Sequence, residues 1–183
     1  MSLAHAILGL LQIEPMTGYD LKTQCFDTSI RYFWPADQAQ IYRTLDKMAE
    51  DGWVDNTIEV QEGRPNRKVY SVTDAGRAEL HRWLTLEHPH PPYRDAFLIQ
   101  VFFGGQLRNN EIFAQFQKQL AHHQALLAEY QTVPLPPLEE LHDERDLTME
   151  RLTLELGFRI QQAYIDWLNL AMETVKNLPD IPS

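Results

Sequence analysis

Apolar residues recur at helical spacing through most of this chain, and the interruptions fall where helix-breaking residues sit. Leu3, Ile7, Leu8, Leu10 and Leu11 form a short apolar stretch that Pro15 stops, which predicts a first helix. Thr17 is placed to cap a second helix from Gly18 to about Thr28, with Tyr19, Leu21 and Phe26 partly buried. Pro35 and Asp37 open a third helix, which runs to Glu50 and closes at Gly52. Its stripe is Ile41, Leu45 and Met48, four and then three residues apart. The pattern then changes. Trp53 to Gln61, with Val54, Ile58 and Val60, reads as a strand, Glu62-Gly63-Arg64-Pro65-Asn66 is turn chemistry, and Arg67 to Thr73 is the returning strand. Thr73 caps a further helix carrying Leu80, Trp83 and Leu84.

Glu87-His88-Pro89-His90-Pro91-Pro92 cannot continue a helix, and beyond it the pattern is helical again. Asp95 to Phe103 holds Phe97, Leu98, Val101 and Phe102 and ends at Gly104-Gly105. From about Asn110 to Gln131, the residues Phe113, Phe116, Leu120, His123, Leu127 and Tyr130 alternate spacings of three and four, a heptad-like seam broken by a histidine. After the breaker Val133-Pro134-Leu135-Pro136-Pro137, a last helix runs from about Glu144 to Asn177. One stripe of it carries Met149, Leu152, Leu156, Ile160, Ala163, Trp167 and Leu170, and Tyr164, Leu168, Ala171 and Val175 lie beside it. That width exceeds what one partner helix can cover. The fold expected is mainly α: a winged helix-turn-helix with a two-stranded wing over residues 1–86, a proline-rich junction at 87–92, and an α-helical dimerisation region over 93–183.

Composition narrows the function classes. With 44% hydrophobic and 23% charged residues, the 183-residue chain has a globular rather than a disordered balance. No apolar run reaches the roughly 18 residues of a membrane span, and the opening Met1-Ser2-Leu3-Ala4-His5 lacks a secretory leader's pattern. The single cysteine, Cys25, excludes an internal disulfide framework, so a cytoplasmic home is expected. Neither His88 and His90, which flank Pro89, nor the adjacent His122 and His123 have the i, i+4 spacing that aims two rings at one ion, so neither metal nor cofactor is expected. Gly-rich phosphate loops, nucleophile elbows and zinc-protease motifs are lacking too, which argues against an enzyme.

Taken alone, the formal net charge of −10 argues against DNA. Its distribution changes that picture: residues up to Leu86 carry net −3 and the remainder net −7. The third helix sets Gln38, Gln40, Tyr42 and Arg43 opposite its apolar stripe, and Gln and Arg can pair bidentately with adenine and guanine edges in a major groove. Tyr19, Lys22, Lys47, Arg64, Arg67 and Lys68 are the candidates for phosphate contact, the last three at or near the hairpin tip. In the second half Phe113, Phe116, Leu120, Leu127, Leu156, Ile160 and Trp167 are candidates for a homodimer interface. Tyr93, Phe97, Phe158, Tyr164 and Trp167 either line a pocket for a small aromatic effector or serve only as core.

Several runs resemble the PadR family of bacterial transcriptional regulators. Thr17-Gly18-Tyr19-Asp20-Leu21 is similar to that family's opening motif. Phe33-Trp34-Pro35, Gln40-Ile41-Tyr42-Arg43-Thr44-Leu45 and Glu50-Asp51-Gly52-Trp53-Val54 are similar to its third helix and exit. Arg67-Lys68-Val69-Tyr70-Ser71-Val72-Thr73-Asp74-Ala75-Gly76 matches its returning wing strand and next helix start. Leu156-Gly157-Phe158 and Trp167 resemble the longer subgroup's helical C-terminal region. The resemblance implies a dimeric repressor on a two-fold symmetric operator of double-stranded DNA, released by a phenolic acid or other small aromatic molecule. The alternative from the residues alone is a winged-helix module that binds protein, for which an acidic surface is suited.

Overall fold

Pro15 lacks an N–H for the helical ladder, and the first helix stops just ahead of it: α1 spans Ser2–Ile13 in the computed structural model, which describes residues 2–60, 66–90 and 92–181. Ala4, His5, Ile7, Leu8 and Leu11 form its buried face. Met16–Thr17 then makes a two-residue strand, β1. Thr17 also starts the next helix: its hydroxyl accepts from the Asp20 N–H at 3.0 Å while the Asp20 carboxylate accepts from the Thr17 N–H, a reciprocal cap. The helix α2, Gly18–Asp20, continues as a wider π-helical stretch over Leu21–Phe26, where Asp27 N–H reaches back to the Lys22 carbonyl. The wide turn aligns Leu21, Cys25 and Phe26 on the core. After a 3-10 turn at Ile30–Tyr32, Asp37 caps α3, Gln38–Glu50, with Ile41, Leu45 and Met48 buried.

Two backbone bonds close α3, from Gly52 N–H to the Ala49 carbonyl and from Trp53 N–H to the Met48 carbonyl. Gly52 takes φ +72°, the left-handed conformation this closure requires. The chain then enters β2, Val54–Glu59, which pairs antiparallel with β3, Arg67–Val72, in the register Val54↔Val72 to Glu59↔Arg67. The sheet has three strands in the order β1-β3-β2, because Met16 pairs with Tyr70 and Thr17 with Val69. β2 and β3 are the two-stranded wing expected from the sequence, and β1 adds a third strand to it, one too short at two residues to leave an alternating pattern. Thr73 caps α4, Asp74–Leu84, accepting from Gly76 N–H. One core gathers side chains from all of these elements. His5 inserts into it between elements: it is buried, lies flat on Trp83 with ring centroids 4.6 Å apart, and donates from Nε2 to Glu79 at 3.0 Å.

The chain divides into two units, Met1–Pro91 and Pro92–Ser183, and the second has its own core. Asp95 caps α5, Ala96–Phe102, which leads through a 3-10 turn at Gly104–Gln106 into α6, Asn109–Gln131. A further 3-10 turn at Leu138–Glu140 precedes α7, Arg145–Lys176. The two long helices run antiparallel: Asn109 at the start of α6 bonds to Leu178 and Asp180, and Tyr130 near its end packs on Phe158. Phe97, Phe116, Leu168, Met172 and Val175 are the buried apolar set between α5, α6 and α7.

Candidate nucleic-acid interface

The apolar stripe of α3 faces the core, which leaves Gln38, Gln40, Tyr42, Arg43 and Lys47 exposed. Their surroundings differ. Gln40 is part of the helix cap: its Oε1 accepts from Asp37 N–H at 3.0 Å, while Asp37 Oδ1 accepts from Gln40 N–H at 2.7 Å. A bidentate contact with adenine uses both amide atoms, so Gln40 must give up the cap to make one. Arg43 donates from Nε to the Ala39 carbonyl at 3.2 Å and has no carboxylate partner among the described residues. Tyr42 lies against Gly18, where an added Cβ would come within 2.6 Å of the ring. Glycine at that position therefore lets the N-terminus of α2 approach α3, beside Tyr19, which is itself exposed.

Acidic residues hold most of the other cations. Arg67 donates to Asp20 at 2.6 Å, tying β3 to α2. Lys68 lies 3.9 Å from Asp46 of α3 and 5.0 Å from the centre of the Tyr70 ring, and Lys47 lies 3.6 Å from Asp51. Lys22, expected at the phosphates, is half-buried and paired with Asp27. Arg64 lies outside the described residues. Partial burial would raise the pKa of Asp20, but hydrogen bonds from Thr17 and the charge and hydrogen bond of Arg67 outweigh it and hold it below its ordinary value. Asp20 thus ties α2 to β3, a role the sequence did not disclose because its partner Arg67 is distant along the chain. A groove of about 650 Å³ runs beside α3, lined by Arg43 and Lys47 on one side and by the exposed aromatics Phe33 and Trp34 on another.

In the C-terminal unit, the five aromatic residues expected around one effector pocket fall into three groups. The Tyr93 and Tyr164 hydroxyls bond to each other, and Asp95 Oδ2 lies 3.2 and 3.3 Å from them to accept the proton that this bond does not use. The bond to Tyr93 and partial burial push the Tyr164 phenol up from its ordinary pKa. His123 stacks on Tyr164 at 4.2 Å and bonds through Nδ1 to Gln161 Oε1 at 2.6 Å. Phe97 and Trp167 belong to the helical core, and Phe158 packs on Tyr130 and under Arg151. Phe158 and Trp167 are nine residues apart on one helix, a rise of about 13 Å.

The dimer candidates also separate. Phe116 is buried within its own chain, edge-on to Phe97. A heptad-like pattern shows that a side chain is buried and not against what, and α5 supplies the partner here. Phe113, Leu120, Leu127 and Trp167 are half-buried, while Leu156 and Ile160 are exposed on α7. Cys25 is buried with its sulfur 3.9 Å from that of Met16, and burial, with the nearby Glu14 and Asp20 charges, pushes its thiol up. Among the described residues no group of three or more metal-ligating side chains forms, and no helix is long and apolar enough to cross a membrane.

A helix with exposed glutamine and arginine, braced against a three-stranded wing and joined to a separate helical unit, defines a winged-helix DNA-binding regulator. Residues 7–82 match the model of the transcriptional regulator PadR-like family, and residues 93–176 match the model described as virulence activator alpha C-term. The Bacillus subtilis protein named negative transcriptional regulator PadR is 35% identical over 130 residues, 70% of this chain and 71% of that protein. This chain belongs to the PadR-like family of transcriptional regulators. The Mycobacterium tuberculosis protein named probable transcriptional regulator Rv1176c is 51% identical over 84 residues. That match covers 46% of this chain and 44% of the mycobacterial protein, under half of its length. The crystal structure of Bacillus subtilis PadR in complex with operator DNA superposes with a TM-score of 0.84 at 28% identity, over 96% of this chain and 99% of that one. The structure of the same protein with p-coumaric acid gives 0.80, again at 28% identity, over 97% and 100%.

Proposed function

We propose that this chain is a cytoplasmic, non-enzymatic, homodimeric repressor that reads a two-fold symmetric operator and is released by a small aromatic effector. The observation that carries the reading is α3: Gln38, Arg43 and Lys47 are exposed opposite a fully buried stripe, on a fold shared with a relative crystallised on operator DNA. Residues 1–86 would form the DNA-binding head, 87–92 the junction and 93–183 the dimerisation and effector region. Gln38, Gln40, Tyr42 and Arg43 take the base or groove contacts, and Tyr19, Lys22, Lys47, Arg64, Arg67 and Lys68 the phosphates. Lys22, Arg67 and Lys68 each exchange a carboxylate partner for a phosphate on binding. The exposed apolar residues of α7, Leu156 and Ile160 among them, supply the dimer contact. The structure of the relative with p-coumaric acid supports an aromatic effector.

The test is a titration of DNA from upstream of the chain's own gene, at several salt concentrations, against random DNA. Arg43→Ala is expected to lose discrimination between the two, by about 1–3 kcal/mol. Arg64→Ala is expected to weaken binding to both about equally and to lower the salt slope by about one. If neither changes affinity or slope, the assignment of contacts is wrong. If wild-type protein fails to bind at low salt, the chain acts as a protein-binding module instead.

A further inference from the structure

The uncovered face of α7 changes character along its length. Met149, Leu152, Leu156, Ile160, Ala163 and Leu170 are exposed along one stripe, with half-buried Trp167 on the same line, at spacings of three and four. At 1.5 Å per residue the stripe is about 32 Å long. Its first half projects Met149, Leu152 and Leu156. Its last part borders a groove of about 310 Å³ that α7 forms with α5 and the first half of α6, and Trp167, Leu170, Thr174 and Leu178 line it from the α7 side. Ala163, the smallest side chain of the stripe, lies midway between the projecting residues and the groove.

The charges beside the stripe are divided in the same way. Arg159 and Asp166 are seven residues apart, on one edge of the stripe, and fall on either side of Ala163. The Arg159 side chain is 78% exposed, and its Nε lies 3.8 Å from the Glu155 carboxylate, beyond hydrogen-bond length. Asp166 accepts from Gln162 at 2.8 Å and has no ion-pair partner among the described residues. A patch that meets its own copy across a two-fold axis must be complementary to itself. Parallel pairing fails this requirement, since it sets Arg159 against its own copy and groove against groove. Antiparallel pairing centred beside Ala163 meets it. Arg159 then faces the partner's Asp166, Leu156 the partner's Leu170, and Leu152 the partner's Thr174. Moving the axis by one turn towards either end of α7 brings Arg159 onto its own copy, or Asp166 onto its own copy, and both are like-charge contacts.

We propose that α7 pairs with α7 of a second copy, antiparallel about a two-fold axis beside Ala163, and that the groove receives the partner's Met149 and Leu152. The inference rests on reading the chain as a homodimer joined through α7. It adds the register, an ion pair made twice between the chains, and an occupant for the groove. The small Ala163 at the axis lets the two helices approach closely. Seating the first half of each stripe on the other chain's groove removes both apolar surfaces from water. The Arg159–Asp166 pairs lie at the rim, where they fix the register more than the affinity.

Sedimentation equilibrium of the full chain without DNA reads the association constant, and cross-linking reads the register. Arg159→Asp and Asp166→Arg should each weaken association by about tenfold, and the variant carrying both should return to within about threefold of wild type. Leu156→Cys combined with Leu170→Cys should be joined into covalent dimers by a short bismaleimide. Leu152→Cys combined with Thr174→Cys, which tests the groove, should be joined as well. Each single cysteine variant should link poorly, because the two copies of one site lie about 20 Å or more apart. The paired sites are also about 20 Å or more apart within one chain, so a link must join two chains. Cys25 is buried and serves as the unlinked background in wild type. Every substituted side chain is exposed, so helicity should match wild type. If wild type is monomeric, the proposal is overturned and the homodimer reading falls with it. If wild type is dimeric, the proposal is overturned, with that reading intact, by either of two results. One is that the double cysteine variants link no better than the singles; the other is that the double charge variant associates no better than its singles.

Discussion

The two units of the chain bury their apolar side chains to very different extents. In the first, Ile7 and Leu8 of α1, Leu21 of the π-helical stretch, and Ile41 and Leu45 of α3 are wholly enclosed. In the second, Leu168 alone among the described residues reaches that state, while Met149, Leu152, Leu156 and Ile160 stay exposed along one side of α7. The head closes its core from several short elements. The helical unit uses one side of α7 against α5 and α6 and keeps an equally apolar side uncovered. The difference separates two jobs: the first unit must hold α3 in a fixed orientation, and the second must offer surface to something else.

The largest expected effect comes from opening the head core. Leu45→Ala should cost about 2–5 kcal/mol in denaturant unfolding of the head, with DNA binding lost alongside. If the loss is below 1 kcal/mol, the contrast between the two cores is overstated. Next, Leu156→Asp combined with Ile160→Asp should weaken self-association by about 30-fold or more in sedimentation equilibrium. Melting of the head should stay unchanged. An unaltered association constant would place the dimer contact elsewhere.

A smaller effect concerns acid. Hydrogen bonds from Arg82 and His5 lower the Glu79 carboxyl from its ordinary 4.5 to about 2, although partial burial opposes the shift. Because the folded pKa is the lower one, the unfolded chain binds the extra proton between these values. The stability from this pair is therefore complete above about pH 4.5 and is lost as pH falls toward 2. Glu79→Gln should flatten that part of the stability profile, and an unchanged slope would show that the link between His5 of α1 and α4 is unimportant. The smallest effect is Lys68→Ala. Its contact with Asp46 is long and exposed, so stability should move by no more than about 0.5 kcal/mol, while the salt slope for DNA falls by about one. A larger loss of stability would mean that the wing is braced by this pair.

Much of the head was legible in the sequence because its signals are local. The spacing of Ile41, Leu45 and Met48, the cap at Asp37 and the stop at Gly52 lie within one short stretch and describe one helix completely. The π-helical turn was not legible, since Leu21, Cys25 and Phe26 suit an ordinary helix nearly as well. Nor were the acidic partners of the exposed cations: Asp20 and Arg67 are 47 residues apart and meet only because β3 lies between β1 and β2. In the C-terminal unit, periodicity found the helices but not the division of their apolar residues between core and surface. Phe116 and Leu156 both belong to regular apolar stripes, and α5 decides which is enclosed.

The cap of α3 has a consequence for how such a regulator can change its target. Gln40 holds the start of the helix and is also one of the residues proposed to read a base. Replacing it to recognise a different sequence also frays the helix, at a cost of about 1 kcal/mol. Arg43, one turn further on, is anchored only by a backbone carbonyl and carries no such penalty. Drift in operator preference among descendants of this chain should therefore pass through position 43 before position 40, with the folding of the helix itself acting as the brake.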